Sequence, residues 1–237
     1  MDGDEKTCLP FSQACFRERF LSLLIFIIAM LVVGPLVEEL VNLRILMDIL
    51  WSAIFISAIY AVSQKKHHVL IGIVLALPML GAIWSRHVVE YRALQVVGYL
   101  CGAAFILFTI VQMLIFIYSH KEITRDLIVG AAVVYLLMAI MWTFIFTVVE
   151  TLHPGSFNIP QGQDIQDAQH FIYYSFVTLT TLGYGDITPV TKLARSFSTL
   201  EAVMGQLYLV VQVAWLVGVH VSQSMLKNYR QDDKEGE

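Results

Sequence analysis

His170-Phe171-Ile172-Tyr173-Tyr174-Ser175-Phe176-Val177 runs on through Thr178 and Leu179 into Thr180-Thr181-Leu182-Gly183-Tyr184-Gly185-Asp186. The first half is apolar and aromatic and fits an amphipathic helix of about 14 residues. A bilayer takes roughly 20 residues to cross, so this helix is too short to span. The second half is broken by Gly183 and Gly185, and upstream the chain is broken by Pro154, Gly155, Pro160 and Gly162. A segment that is half apolar, yet too short and too broken to cross, reads as re-entrant. Lipid offers no partner for exposed backbone polar groups, so such a segment must be buried in protein or line water. On its own, Gly-Tyr-Gly-Asp would suit a simple turn, which Gly and Asp favour. Its place after an aromatic helix and between two long apolar runs favours the re-entrant loop.

Those two runs cover residues 127–149 and 197–226, and four more precede them at 20–37, 45–62, 69–84 and 93–118. The composition agrees: 57% hydrophobic and 14% charged, against about 45–50% and 25% in soluble domains. Mean hydropathy is +0.70. At roughly 20 residues per span, 237 residues hold six spans joined by loops and short ends. A large water-soluble enzyme domain, a long disordered tail and a disulfide scaffold are thereby excluded. The first run starts well inside the chain and ends in Gly34-Pro35 and Glu38-Glu39 without a small-residue cleavage pattern, so it reads as a retained span and not a signal peptide.

A net charge of −4 offers nothing for nucleic acid. Cys8, Cys15 and Cys101 cannot all pair, and none has metal-ligand spacing to another Cys or a His. They read as reduced structural residues, with palmitoylation of Cys8 or Cys15 beside the membrane as the lesser alternative. The pair His67-His68, next to Lys65-Lys66, reads as a solvated basic turn. No catalytic group and no cofactor are expected.

Orientation follows from Lys and Arg, which accumulate in cytoplasmic loops. With the N-terminus inside, Lys6, Arg17, Arg19, Lys65, Lys66, Lys121, Arg125, Lys227, Arg230 and Lys234 lie on the inner side. Arg44, Arg86, Arg92, Lys192 and Arg195 lie outside. Ten against five, out of the 15 Lys and Arg, favours both termini in the cytoplasm of a multi-pass cell-membrane protein. The chain then divides into an N-terminal cytoplasmic segment (1–19), a four-helix unit (20–122), a two-span unit with the re-entrant segment (123–226) and a short charged tail (227–237).

Residues 180–186 resemble the selectivity filter of potassium channels. Leu182 stands where the family tolerates Val, Ile or Leu. The likeness extends over roughly residues 124–225, whereas residues 20–122 share only the four-spans-then-pore architecture of the voltage-gated-like superfamily, in its prokaryotic type. The resemblance implies an all-α, six-span membrane protein with a pore helix and filter loop. It also implies a homotetramer, because one filter strand per chain must be supplied four times to close a carbonyl cage. Potassium then passes through as permeant ion, held by Thr181, Leu182, Gly183, Tyr184 and Gly185. The physics fits. Consecutive carbonyls point one way only if alternate residues leave the ordinary backbone regions, and Gly183 and Gly185 adopt positive φ without steric cost. Thr181 would add its side-chain oxygen as the innermost ligand, and Tyr184 would prop the strand from behind.

Some relatives carry a pore-helix carboxylate that pairs with the filter aspartate; here that position is Val177. Tyr173 and Tyr174 can donate O–H bonds toward Asp186 or Tyr184, although plain packing is the commoner role of aromatics on such a helix. Glu150, at the end of a span where ionisable residues invite a functional reading, is expected to accept backbone N–H groups from the loop after the filter. Glu201 reads equally as pore-helix support or as a group reaching the outer interface. Gly205 stands where many relatives carry a hinge glycine, and close helix packing is the commoner reason for a glycine there. Spacing by four then places Leu209, Val213, Val217 and Val221 on one stripe, an apolar inner mouth that closes by dewetting.

Residues 93–118, the fourth span, contain no Arg, Lys, Asp or Glu, so strong voltage gating is not expected. Few residues follow residue 226, leaving no room for an appended ligand-binding domain. The short link between the fourth and fifth runs reaches under about 30 Å even fully extended. It predicts that the four-helix unit packs on the pore helices of its own subunit. A six-span transporter is the alternative, but it would show inverted halves with matching breaks. A non-conducting accessory membrane protein is the other, and it would have no reason to keep the 180–186 pattern.

Overall fold

The computed structural model describes residues 19–37, 43–62, 66–85, 92–120, 123–159 and 168–235. They form seven helices, α1 (Arg19–Val37), α2 (Leu43–Val62), α3 (Lys66–Ser85), α4 (Arg92–Ser119), α5 (Arg125–Leu152), α6 (Ala168–Leu179) and α7 (Lys192–Glu235). Two short strands, β1 (Phe157–Asn158) and β2 (Thr188–Pro189), pair antiparallel with Phe157 opposite Pro189. The N-terminal segment with Cys8 and Cys15, the acidic pair Glu38-Glu39, Lys65, Arg86, and Pro160 with Gly162 lie outside the described residues.

Each apolar run became a helix, with ends within a few residues of those expected. The exception is α7, which starts at Lys192 and continues to Glu235, where the expectation ran from 197 to 226 followed by a tail. Hydropathy sees only the apolar middle. The helix begins earlier because the Thr191 hydroxyl accepts the Ala194 N–H (3.3 Å), the capping bond that Thr supplies at a helix start. Likewise α5 is capped by Thr124, whose extended backbone (φ −110°, ψ 162°) brings its hydroxyl to the Leu127 N–H. Asp126 in the first turn complements the positive helix end.

Among the described residues, four stretches are long and apolar enough to cross a membrane: His67–Ser85, Arg92–Ser119, Arg125–Leu152 and Lys192–Gln223. The first two helices carry shorter apolar stretches, Phe20–Val32 and Ile45–Ala61. At 1.5 Å per residue the 28 residues of α5 measure about 42 Å, more than a hydrocarbon core of about 30 Å.

The core centres on α5, whose residues from Leu137 to Glu150 are nearly all buried. Helices α4, α6 and α7, together with α1, pack around it. A chain of rings joins the four-helix unit to α5: Phe55 stacks on Phe105 (4.9 Å), Trp51 lies 5.0 Å from Phe144, and Tyr99 lies 6.2 Å from Phe144. At the other end Phe20 meets Phe116 edge-on at 5.5 Å. The four-helix unit thus rests on α5 of the same chain.

Candidate functional site

The segment 180–186 leaves the C-terminal end of α6, where four carbonyls lack helical partners. All four are satisfied. Phe176 O accepts Thr180 N (3.1 Å), Val177 O accepts Leu182 N (2.9 Å) and Gly183 N (3.3 Å), and Thr178 O accepts Thr181 N (3.0 Å). Leu179 O accepts the Tyr135 hydroxyl of α5 (3.1 Å). The segment is therefore pinned at its root, and the negative end of the α6 dipole points at it, which favours a cation.

Its backbone alternates. Thr181, Gly183 and Gly185 have φ of +59°, +59° and +80°, and no other non-Gly residue described has positive φ. For glycine this is free; for a β-branched residue such as Thr181 it is an outlier that its surroundings must hold. Every second residue turned left-handed leaves a strand whose carbonyls can face one way. The strand is exposed on the chain surface from Thr181 through Asp186.

Support comes from behind. The Tyr173 ring lies parallel to the Tyr184 ring (6.4 Å, 4°), and its hydroxyl donates to Asp186. Asp186 thus finds a partner in Tyr173, in a chain with Val177 in place of a carboxylate. Tyr174 behaves otherwise. Its hydroxyl donates to Ser198 on α7 (2.6 Å) and its ring sits among Phe146 and Phe157, so it anchors α6 to the bundle and does not reach the strand. The two tyrosines are neighbours in sequence and so point about 100° apart around the helix, which sends one toward the strand and the other into the core.

Glu150 is 5% exposed, and the two backbone N–H groups it accepts are not those of the loop after residue 186, contrary to the expectation. Its Oε1 takes Gly155 N (2.7 Å) and its Oε2 takes Phe157 N (3.1 Å), in the turn right after α5, not in the loop after the strand. The chain folds back at Gly155, with φ +84°, and so presents its own N–H groups to the carboxylate first. The connection beyond is indirect. Ser156 O, inside the same turn, accepts Val190 N (2.8 Å), and β1 pairs with β2 immediately after Asp186.

Along α7 the residues Ser198, Glu201, Gly205, Tyr208, Gln212 and Trp215 recur at intervals of three and four, so they share one face. That face looks into the chain. Tyr208 donates to Ala131 O (2.7 Å) and stacks on Tyr135, and Gln212 accepts the Tyr118 hydroxyl (3.2 Å) while Trp215 meets the Tyr118 ring edge-on. At Gly205 a Cβ would stand 2.8 Å from Leu179 O, so only glycine lets α7 lie this close to the end of α6. Packing alone accounts for this glycine, and α7 runs helical through it. Leu209, Val213, Val217 and Val221 lie on the other side and are exposed, at 38%, 57%, 56% and 44%. Reading only apolar residues found the outward stripe and missed the inward polar one, whose three-four spacing was visible in the sequence.

Residues 122–220 match the sequence model of a family described as ion channel. No curated protein matches the chain. The family match and the long apolar helices indicate a membrane protein carrying an ion-channel domain, and the matched residues run from just before α5 into α7.

Proposed function

We propose that the chain is the subunit of a potassium-selective channel of the cell membrane. Four copies each contribute one strand, 181–185, to a central cage of carbonyls that replaces the hydration shell of K⁺. The carrying observation is the alternation of left-handed backbone at Thr181, Gly183 and Gly185, in an exposed strand rooted on α6. On this reading all six apolar helices α1–α5 and α7 cross the bilayer, α6 is the re-entrant pore helix, and both termini are cytoplasmic. The exposed stripe Leu209, Val213, Val217 and Val221 then lines the inner pathway. Its activity is passive conduction, not catalysis. Contacts of Trp51 and Tyr99 with Phe144 support a four-helix unit packed on its own subunit's pore.

The test is flux from liposomes holding the purified protein, with K⁺ or Na⁺ as the only permeant cation. K⁺ efflux with little Na⁺ efflux is expected, and equal rates would refute the proposal. Saturable, substrate-coupled exchange would indicate a transporter, and no flux at all a non-conducting membrane protein.

A further inference from the structure

Glu201 is fully buried where α7 crosses α6. Its Oε1 is hydrogen-bonded to the Ser175 hydroxyl, and that hydroxyl is also 2.7 Å from Ala139 O on α5. Its Oε2 has no hydrogen-bond partner among the described residues. The other titratable groups that face it are Tyr135 from α5 and Tyr174 from α6, whose hydroxyls are given to Leu179 O and Ser198.

Counting hydrogens decides how this cluster works. A serine hydroxyl has one hydrogen, and a backbone carbonyl can only accept. If Ser175 gives its hydrogen to an ionised Glu201, its contact with Ala139 O becomes two acceptors facing each other in a buried site. Ala139 O keeps the Thr143 hydroxyl as a donor (3.0 Å), so the cost is the repulsion of two oxygen acceptors held 2.7 Å apart in a low-dielectric site. Both contacts close when the carboxyl group is in its acid form. Its O–H then donates to Ser175 Oγ, and Ser175 donates onward to Ala139 O. The relay ties α7, α6 and α5 together at one level. Ser175 lies two residues before Val177, whose carbonyl holds the Leu182 and Gly183 N–H groups. A displacement of α6 is thus passed to the strand directly.

We propose that Glu201, acting as a protonated donor through Ser175, is a positioning residue for the strand 181–185 and so sets its selectivity. This rests on the channel reading above. The full chain in liposomes tests it, with the K⁺/Na⁺ permeability ratio as readout. An unselective wild type would overturn both readings at once, whereas a selective wild type isolates the role of Glu201. Glu201→Leu and Ser175→Ala should each lower the ratio by about tenfold, the factor that one lost buried hydrogen bond corresponds to. The double variant should be no worse than either single one. Glu201→Gln, whose amide can still donate to Ser175, should restore the wild-type ratio. If Glu201→Leu fails to assemble, Ser175→Ala carries the same expectation with the carboxyl group in place. The infrared difference spectrum of wild type against Glu201→Gln should contain the C=O stretch of a protonated carboxyl, whatever the conduction. A wild-type ratio in Glu201→Leu or Ser175→Ala, additive losses in the double variant, or absence of that band would each overturn the proposal.

Discussion

The two halves of the bundle are built on different principles. In the half formed by α5–α7, directed hydrogen bonds fix single points: Glu150 on the turn after α5, Tyr174 on Ser198, Ser175 between Ala139 and Glu201, and Tyr208 on Ala131 O. In the four-helix half rings are prominent among the contacts to α5, with Trp51 and Tyr99 on Phe144 and, one layer out, Phe55 on Phe105. Ring packing tolerates small shifts, because dispersion falls gradually with separation. A hydrogen bond weakens steeply once its angle or length departs from the optimum. The half formed by α5–α7 is thus built for position and the four-helix half for cohesion.

That contrast breaks most sharply at the strand itself. Gly183→Ala or Gly185→Ala places a Cβ on a left-handed backbone, at roughly 1–2 kcal/mol per residue, and repeats it in each copy of the chain. Space within the single chain is not the obstacle, since nothing lies within 4 Å of where either Cβ would stand. The obstacle is φ. We expect K⁺ flux to be lost while the protein still folds, read as absent efflux from liposomes with an unchanged circular dichroism spectrum. Retained K⁺ flux in both variants would mean that left-handed φ is not needed there.

The complementary change is in the four-helix half. Trp51→Ala removes a ring that is 5% exposed and packed on Phe144, and such truncations cost about 3–5 kcal/mol. The thermal midpoint in detergent should fall well below wild type, while the K⁺/Na⁺ ratio of the protein that remains folded stays unchanged. A lost ratio would show that the halves are not separable.

A smaller effect is expected at Glu150. In Glu150→Gln one of the two N–H groups, of Gly155 or Phe157, faces an amide donor, which costs about 1–3 kcal/mol. Each kcal/mol lowers the midpoint by about 2–4 °C in a chain of this size. Glu150→Ala should be lower still, and an unchanged midpoint in both would show that the turn does not depend on the carboxylate.

The same contrast explains what could be read in the sequence. Six apolar runs and the 180–186 pattern located the helices and the candidate strand, because burial in lipid and positive φ each restrict residue choice strongly. The partners of Glu150 and Tyr174 were not legible. A carboxylate at a helix end can accept from any N–H that the chain brings near, and which turn arrives first depends on the fold-back at Gly155. The Ser175–Glu201 contact joins residues 26 apart on two helices, and helical spacing names a face without naming its neighbour.

The weakest effect is expected where a helix with one terminal charge meets the membrane field. Moving one elementary charge across it is worth about 2.3 kcal/mol per 100 mV, and steep gating uses 3–4 charges per subunit. Helix α4 is 28 residues long and carries Arg92 at its first position and no other charged residue. Arg92 is exposed at the helix end, so at most a fraction of its charge senses the field. The other side of α4 is equally unsuited to sliding. Phe105, Ile106, Thr109, Ile110 and Met113 are buried, and Tyr118 is tied to Gln212 and Trp215 on α7. A sensor displaced along its axis would have to break that packing with little electrical work to drive it. The conductance–voltage relation in symmetric K⁺ should therefore be shallow, and Arg92→Gln should leave it unchanged. A slope equivalent to several charges per channel, abolished in Arg92→Gln, would make α4 a mover and end its description as cohesive scaffold.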